Sequence, residues 1–395
     1  MLNRLKTASW PNNSFIWSCD STVCIIIPIY VIISMRILEI IPQLHMGGAE
    51  AFTVNLCNEL SKQGHEVILA VTNPVSQYGH FAQYLSPTVR LISMDKKAGA
   101  DPKLFFRLPK LIADINPDVV HTHLGAILYN VFSPFIFRKV RYYHTIHNEA
   151  SKEATTGGWI SAWARKFLFR LHKIVPVAIS ESSKQSFRDY YRFGCNPVLI
   201  ENGVPILNVD KNNAPEIKSD KISLVNVARV MPQKNQMALV KAVEELNVDG
   251  WEIELYIIGY NDTPEGDAIK TLAPKHSHLL GPKNNPRDYM AAADAFVLSS
   301  VYEGMPLTLI ESMAVGVPSI CTSVGGIVNM IEDGKNGILV NGTSKDDIKD
   351  AIKRFLYLSK AEKIQMASRA HQSYNRYSMT RCATNYINLF NSRSV

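Results

Sequence analysis

What this 395-residue chain lacks narrows the field first. Its six cysteines, at positions 19, 24, 57, 195, 321 and 382, form no C-x-x-C pair and no regular spacing. That excludes a disulfide framework or zinc ribbon and reads as reduced thiols in a cytosolic protein. No cluster of His, Cys and carboxylates has metal-ligand spacing and no D-x-D occurs, so a protein-held metal is not expected. There is no G-x-G-x-x-G, which argues against NAD. No RNP, zinc-finger or basic-region pattern appears, which argues against nucleic acid. The longest apolar run of the N-terminal segment, Val23 to Ile33, is eleven residues interrupted by Pro28, whereas a bilayer-spanning helix needs about 20.

What is present begins in earnest at Met35. Arg4 and Lys6 precede a run of signal-peptide length, but no A-x-A-like cleavage site follows it. Met35 opens M-R-I-L-E-I-I-P, a good first strand, so the expectation is that the natural start is Met35 and that residues 1–34 lie outside the fold. With 46% hydrophobic residues the chain supports two cores. From 35 to 205, short β-rich runs such as Arg36 to Ile41, Glu66 to Val71, Asp118 to His121 and Arg141 to Ile146 alternate with amphipathic stretches such as Ala49 to Gln63. Pro205 to Asp220, rich in Asn, Asp, Pro and Lys, reads as a linker. The alternation then restarts, with strands at Lys221 to Ala228, Glu252 to Ile258, Ala295 to Leu298 and Pro318 to Thr322. The fold class is therefore α/β, with two doubly wound domains at 35–205 and 206–378 and a last helix within 379–395 expected to pack back on the first domain. Ligands of such sheets bind outside the carboxyl ends of the strands, so two facing sheets make one cleft.

The most informative stretch is Ser299 to Gly316, S-S-V-Y-E-G-M-P-L-T-L-I-E-S-M-A-V-G, with Glu303 and Glu311 eight positions apart. Pro306 suits the first helical position, where its missing N–H would be unpaired anyway, so a helix is expected from near Leu307 to Gly316. A strand feeding a tight turn and a helix brings free amides and a positive dipole end to one point, which favours phosphate. Glu303 would sit before that helix and Glu311 about a turn inside it, within reach of a sugar or ribose hydroxyl. Taken alone, the stretch reads equally well as an ordinary βα unit.

Four other sites fall at strand ends. In Ala228-Arg229-Val230-Met231-Pro232-Gln233-Lys234, Arg229 leaves a strand and Lys234 opens a helix, placing two cations on the same rim. That spacing alone is a common solvated loop, but beside a helix N-terminus it suits a diphosphate. Gly47-Gly48 lets backbone approach a ligand after the first strand, and is weak evidence by itself. His121 and His123 alternate onto one face, one expected in the core and one toward the cleft, a packed neutral His being the commoner fate of either. Ser180-Glu181-Ser182 reads most simply as a helix N-cap.

Together these residues resemble a retaining GT-B glycosyltransferase of family 4, from Met35 to the C-terminus. The motifs that carry the likeness are E-G-M-P-L-T-L-I-E at 303–311, G-G-A-E at 47–50, A-R-V-M-P-Q-K at 228–234, I-E-N-G-V at 200–204, G-G-I-V-N at 325–329 and D-G-K-N-G-I-L-V at 333–340. Asn329 departs from the Glu many members carry there, and is read as affecting donor discrimination. The resemblance implies two Rossmann-like domains facing across a cleft, the first binding an acceptor and the second a nucleotide-sugar donor. It implies that Arg229 and Lys234 bind the diphosphate, that Glu311 holds the ribose, and that Glu303 with the backbone of Gly304, Met305, Pro306 and Leu307 contacts sugar hydroxyls. Gly47 and Gly48 would approach the donor from the opposite domain. One of the two histidines would contact the transferred sugar, His123 being favoured as nearer the open end of its strand, and Asn202 with Gly203 would shape the hinge-side floor. The donor is expected to be UDP-linked, a substrate with no further cofactor. The acceptor is expected to be a glycan or lipid-linked sugar of surface polysaccharide assembly.

The net charge of +7 lies in the first half, where Lys and Arg outnumber Asp and Glu; after residue 205 they balance. The segment Trp159 to Lys173 sets Trp159, Trp163, Phe167, Leu168 and Leu171 beside Arg165, Lys166, Arg170 and Lys173, with Arg138, Lys139 and Arg141 nearby. An interfacial helix has that make-up, and so does an ordinary core-facing helix. An anionic membrane surface is the preferred partner, peripheral on the cytoplasmic face. A nucleotide-sugar epimerase or hydrolase, and an inactive scaffold, stay open as alternatives.

A nucleophile–acid pair needs carboxylates about 5 to 5.5 Å apart. Eight helical positions span about 12 Å, so Glu303 and Glu311 read as positioners. Arg229 and Lys234 then stand where a divalent ion stands in other sites, and sugar transfer is expected to continue undiminished in EDTA; loss on chelation, restored by magnesium or manganese, would overturn this.

Overall fold

Two parallel sheets carry the fold, each built where β-branched residues run without interruption and are buried on both faces. The computed structural model describes residues 34–99, 101–155, 158–217 and 220–392, and before them only the backbone of three antiparallel strands, Lys6–Trp10, Asn13–Asp20 and Val23–Ile29. The expectation for residues 1–34 falls outside what is described.

The first sheet contains β1 (Arg36–Ile41), β2 (Glu66–Val71), β3 (Arg90–Ser93), β4 (Val119–His123), β5 (Arg141–Ile146), β6 (Val175–Ala178) and β7 (Val198–Leu199). Their order is β7-β6-β5-β4-β1-β2-β3, with every pairing parallel. The second contains β8 (Ile222–Val227), β9 (Ile253–Ile258), β10 (Ser277–Gly281), β11 (Ala295–Leu298), β12 (Ser319–Thr322) and β13 (Ile338–Val340). Its order is β10-β9-β8-β11-β12-β13, again all parallel. Strand order therefore reverses between β1 and β4 in one sheet and between β8 and β11 in the other. Those two reversal points are where loops diverge and leave a crevice.

Helix α1 (Gly48–Lys62) follows β1, α2 (Gly158–Arg170) precedes β6, and α3 (Leu307–Val315) follows β11 and stops at Gly316, whose φ of 71° is the left-handed conformation glycine adopts freely. Among the elements that escape the sequence reading are two near the end of the second domain. Strand β13 is only three residues long. Helix α4 (Lys360–Tyr374) carries little apolar periodicity, yet its start was legible: Ser359 accepts from the Glu362 amide while the Glu362 side chain accepts from the Ser359 amide, a reciprocal cap written as S-K-A-E.

The final helix, α5 (Met379–Asn391), returns to the first domain. Cys382, Tyr386 and Phe390 are buried in the same core as Phe52, Leu60 and Val177, and Arg141 donates to the Phe390 carbonyl. Arg141 is thus occupied holding α5 and does not belong to an exposed basic face. The chain passes between domains twice, and the two passes lie side by side. Val204 N donates to Tyr377 O at 3.0 Å and Met379 N to Val204 O at 2.9 Å, and Gly203 packs so closely on Met379 that a Cβ would come within 2.8 Å of its Cα.

Candidate active site

The second reversal point gathers the charged residues. After β8 the chain releases Arg229 and makes a single 3₁₀ turn, Pro232–Lys234; Asn235 then takes a left-handed φ of 56° before the next helix begins at Gln236. Lys234 therefore sits on the turn ahead of the helix, not on the helix itself. After β11 the segment Ser299 to Gly304 runs alongside it, and the two are tied together. Val301 N donates to Gln233 O at 2.8 Å, Gln233 Nε2 to Tyr302 O at 3.0 Å and Ser299 Oγ to Lys234 O at 2.8 Å. Held this way, Lys234 Nζ reaches Glu303 Oε1 at 2.5 Å, and Ser300 Oγ donates to the same oxygen at 2.6 Å.

Helix α3 presents its amide-rich start at this rim. Pro306 is its N-cap with extended backbone (φ −71°, ψ 122°), so the expected first helical position falls one residue later, on Leu307. Glycines make room for the turn. A Cβ on Gly325 would lie 1.7 Å from Glu303 O and one on Gly326 2.2 Å from Gly304 O, while Gly326 N donates to Gly304 O at 3.0 Å. The late Gly-Gly is thus the floor on which Glu303–Gly304 rests. Gly304 in turn lies against the other domain, where a Cβ would meet His147 O at 3.0 Å.

Glu311, a turn inside α3, is not free: Arg287 donates to its Oε1 through Nε at 3.1 Å and Nη2 at 2.8 Å. Arg287 was missed in the sequence because nothing in N-P-R-D-Y marks the seven-residue helix Pro286–Ala292 as facing α3. The two carboxylates belong to separate ion pairs.

From the second domain, Arg229 Nη2 crosses to Met46 O of the first at 3.0 Å, just before Gly47 and Gly48. Gly48 faces open space. Gly47 does not, because the Glu50 carboxylate folds over it, within 2.3 Å of where a Cβ would be. Burial raises the Glu50 carboxyl, against hydrogen bonds from its own amide and Gln43 and the charge of Arg229. On the hinge side, Asn202 donates to Met305 through its amide N (3.2 Å to Sδ) and its side chain (3.3 Å to O).

Neither histidine of H-T-H reaches the cleft. Both rings are completely enclosed, because alternation aims them at Glu39 on the adjacent β1, a residue the sequence reading passed over inside an apolar strand. Glu39 Oε2 lies 2.9 Å from His121 Nδ1 and 2.8 Å from His123 Nε2. His121 Nε2 is 2.8 Å from Thr145 Oγ1, itself 2.8 Å from Tyr386 OH, and His123 Nδ1 is 2.9 Å from His147 Nε2. Burial alone would raise the Glu39 carboxyl, but the charge and hydrogen bonds of both histidines hold it at about 2. Burial pushes His123 down to about 4, and pushes His144 and His147 below the usual range as well. Glu39, His121 and His123 lie close enough to share one ion, but their mutual hydrogen bonds already satisfy the buried atoms.

Two opposed Rossmann-type sheets with cations, amides and a glycine turn meeting at their strand ends are the arrangement of a GT-B glycosyltransferase. The family model Glycosyltransferase Family 4 matches residues 46–206 and Glycosyl transferases group 1 matches residues 209–373. The capsular polysaccharide biosynthesis glycosyltransferase CapH of Staphylococcus aureus is 25% identical over 291 residues, covering 70% of this chain and 78% of that protein. An Escherichia coli UDP-Gal:alpha-D-GlcNAc-diphosphoundecaprenol alpha-1,3-galactosyltransferase is 25% identical over 354 residues, covering 82% and 83%. The solved structure of Anabaena HepE in complex with UDP superposes with a TM-score of 0.75 at 17% identity, covering 90% of this chain and 99% of that one. The chain belongs to the family 4, group 1, glycosyltransferases.

The buried histidines set an acid limit on the fold. In the unfolded chain they take up protons near 6.5, whereas the folded protein keeps His123 neutral until about 4, so stability falls as pH drops through that interval. Glu39 stabilises above about 4.5 and that contribution is lost toward about 2. Urea unfolding between pH 7.5 and 4 should show a steady decline; a flat profile would contradict it.

Proposed function

We propose that the chain transfers a hexose, with retention of configuration and without a metal ion, from a UDP sugar to a lipid-linked glycan acceptor of surface polysaccharide assembly. The observation that carries this reading is the meeting of Lys234, Arg229 and the start of α3 at one rim. A diphosphate entering there would exchange places with groups that now compensate the cations. Lys234 would pass from Glu303 to a phosphate oxygen and Arg229 from Met46 O, while α3 contributes amides and dipole. Positive charge preorganised around the departing UDP does what a general acid would otherwise do. Glu303, once released by Lys234, and the backbone of Gly304 to Leu307 would take sugar hydroxyls. Glu311, kept in place by Arg287, would take the ribose. Because Glu303 and Glu311 belong to separate pairs, a double displacement between them is not part of the scheme.

The UDP assignment rests on likeness to HepE, whose structures hold UDP and UDP-glucose, and on the E. coli relative, whose name gives a UDP-Gal donor and a diphosphoundecaprenol acceptor. A lipid-linked acceptor calls for a membrane-facing surface, and α2 offers one. Trp159 is 80% and Trp163 58% exposed, and Trp163 stacks on Phe167, which meets Phe135, over which Lys173 lies. Lys166, Arg170, Arg138 and Lys139 are exposed around them, whereas Arg165 is buried against Ser161 and Leu124 O and drops out of the basic face. No helix among the described residues is long and apolar enough to cross a membrane, so the contact proposed is peripheral.

Nucleotide release from UDP-glucose, UDP-galactose and UDP-N-acetylglucosamine, with a polyprenyl-diphosphate-linked sugar as acceptor, tests the chemistry. Lys234→Ala should lower kcat by about 10² to 10³ while leaving acceptor KM nearly unchanged; an epimer or free sugar formed in the acceptor's absence would favour the alternative enzyme class. For the membrane contact, the protein should float with phosphatidylglycerol vesicles at low salt and Trp159→Ser/Trp163→Ser should not. Failure of the unaltered protein to float would remove this part of the proposal.

A further inference from the structure

One loop of the first domain reaches the Glu303–Gly304 turn, and it is held firmly in its own domain. After β5 the chain passes His147 and Asn148 and enters the short helix Ala150–Thr155. The buried Glu153 carboxylate accepts from His147 N at 2.8 Å, Ser186 Oγ accepts from Ala150 N at 3.0 Å, and Ser183 Oγ donates to Asn148 O at 3.1 Å. Those bonds tie the loop to itself and to the helix Glu181–Tyr191. The second domain meets it at two places. Gly304 lies against His147 O and Asn148 Cα, where a Cβ would come within 3.0 and 3.4 Å, and Lys152 Nζ stands 3.1 Å from the centre of the Tyr302 ring.

The Lys152 side chain is 41% exposed, with a Glu149 carboxylate oxygen 3.2 Å from its Nζ one turn back on the same stretch. An exposed lysine ordinarily keeps its rotamer freedom. This one sets its charge on the face of a ring from the other domain, where the quadrupole of the tyrosine attracts a cation. Tyr302 is placed to pass that hold on. Its carbonyl accepts from Gln233 Nε2 at 3.0 Å, and the next residue, Glu303, is the partner of Lys234.

We propose, resting on the glycosyltransferase reading above, that Lys152 is a positioning residue for sugar transfer: its ammonium, seated on Tyr302, clasps the Glu303–Gly304 turn to the first domain and so sets the turn where sugar hydroxyls are received.

The two contacts divide the work. Gly304 against His147 O is a packing limit, which stops the turn from coming nearer but does not hold it there. The ammonium–ring contact is attractive and supplies the hold. Lys234 and the start of α3 are fixed within the second domain, whereas Tyr302 is shared between the two. Removing the clasp should therefore weaken turnover and spare nucleotide binding.

The test is a cycle of Lys152→Met, Tyr302→Leu and the double variant, each assayed with the three UDP sugars above. Each single change is expected to lower kcat about 2- to 10-fold, the double variant no further than the more severe single, with calorimetric affinity for UDP unchanged in all three. Lys152→Arg and Tyr302→Phe, which keep cation and ring, should retain kcat within about twofold. Glu149→Gln, which removes the pair on the helix and leaves the ring contact, should retain it too. Full kcat in Lys152→Met, effects that multiply in the double variant, or an affinity for UDP that falls in step with kcat overturns the proposal. Should Tyr302→Leu not fold, Lys152→Met against Lys152→Arg decides. The contact also has a spectroscopic signature: the Lys152 Cε protons, assigned by their loss in Lys152→Met, should be shifted upfield by the Tyr302 ring, and an unshifted signal in the unaltered protein overturns the proposal whatever the activity. If the unaltered enzyme shows that shift but turns over no UDP sugar, it is the functional reading that fails.

Discussion

Everything at the charged rim depends on two neighbouring turns being laced together before any charge is placed. The backbone and side-chain bonds between Gln233–Asn235 and Ser299–Tyr302 turn the divergence of β8 and β11 into a rigid platform. Only then can Lys234 and Glu303, 69 positions apart, meet at 2.5 Å. Their ion pair compensates both charges, so neither is left unpaired above the sheet. The glycines beneath extend the same logic. Glu303–Gly304 is stacked on Gly325–Gly326, peptide on peptide, and has no slack in which to drift.

The first domain solves the opposite problem. Its sheet holds a carboxylate with zero exposure, Glu39, in a strand whose other buried residues are apolar. Such a group is costly unless every lone pair is met, and here two imidazoles from β4 meet it while Thr145 and Tyr386 complete the far side. Tyr386 comes from α5, which reaches the first domain only after the chain has traversed the second. The polar interior of the first domain is therefore completed by the last helix of the chain, coupling its order to that of the other half.

The two-sheet architecture was legible because alternation of β-rich and amphipathic runs is a local signal, and so was the meeting of Lys234 with Glu303, because both sit in loops that follow neighbouring strands. What escaped was long-range. Arg287 pairs with Glu311 across two helices with no shared motif. Glu39 appears in R-I-L-E-I-I as a lone charge in a strand, and only the lateral pairing of β1 with β4 explains it. That same pairing moved His121 and His123 inward, since alternation fixes which residues share a face and not what lies opposite them. On α2, Arg165 shows the converse: a basic residue that composition assigns to the surface is captured by a carbonyl at a chain turn.

The paired crossings at Val204 and Ser378 act mechanically. A single strand between lobes would permit twist, slide and tilt; two strands bridged to each other at one point leave a pivot, with Arg376 clamped to Glu201 beside it. Two bridged crossings oppose shear between the lobes more than a single one would, which leaves rotation about the Val204–Ser378 bridge as the softer displacement between the Gly47–Gly48 loop and the Glu303–Gly304 turn.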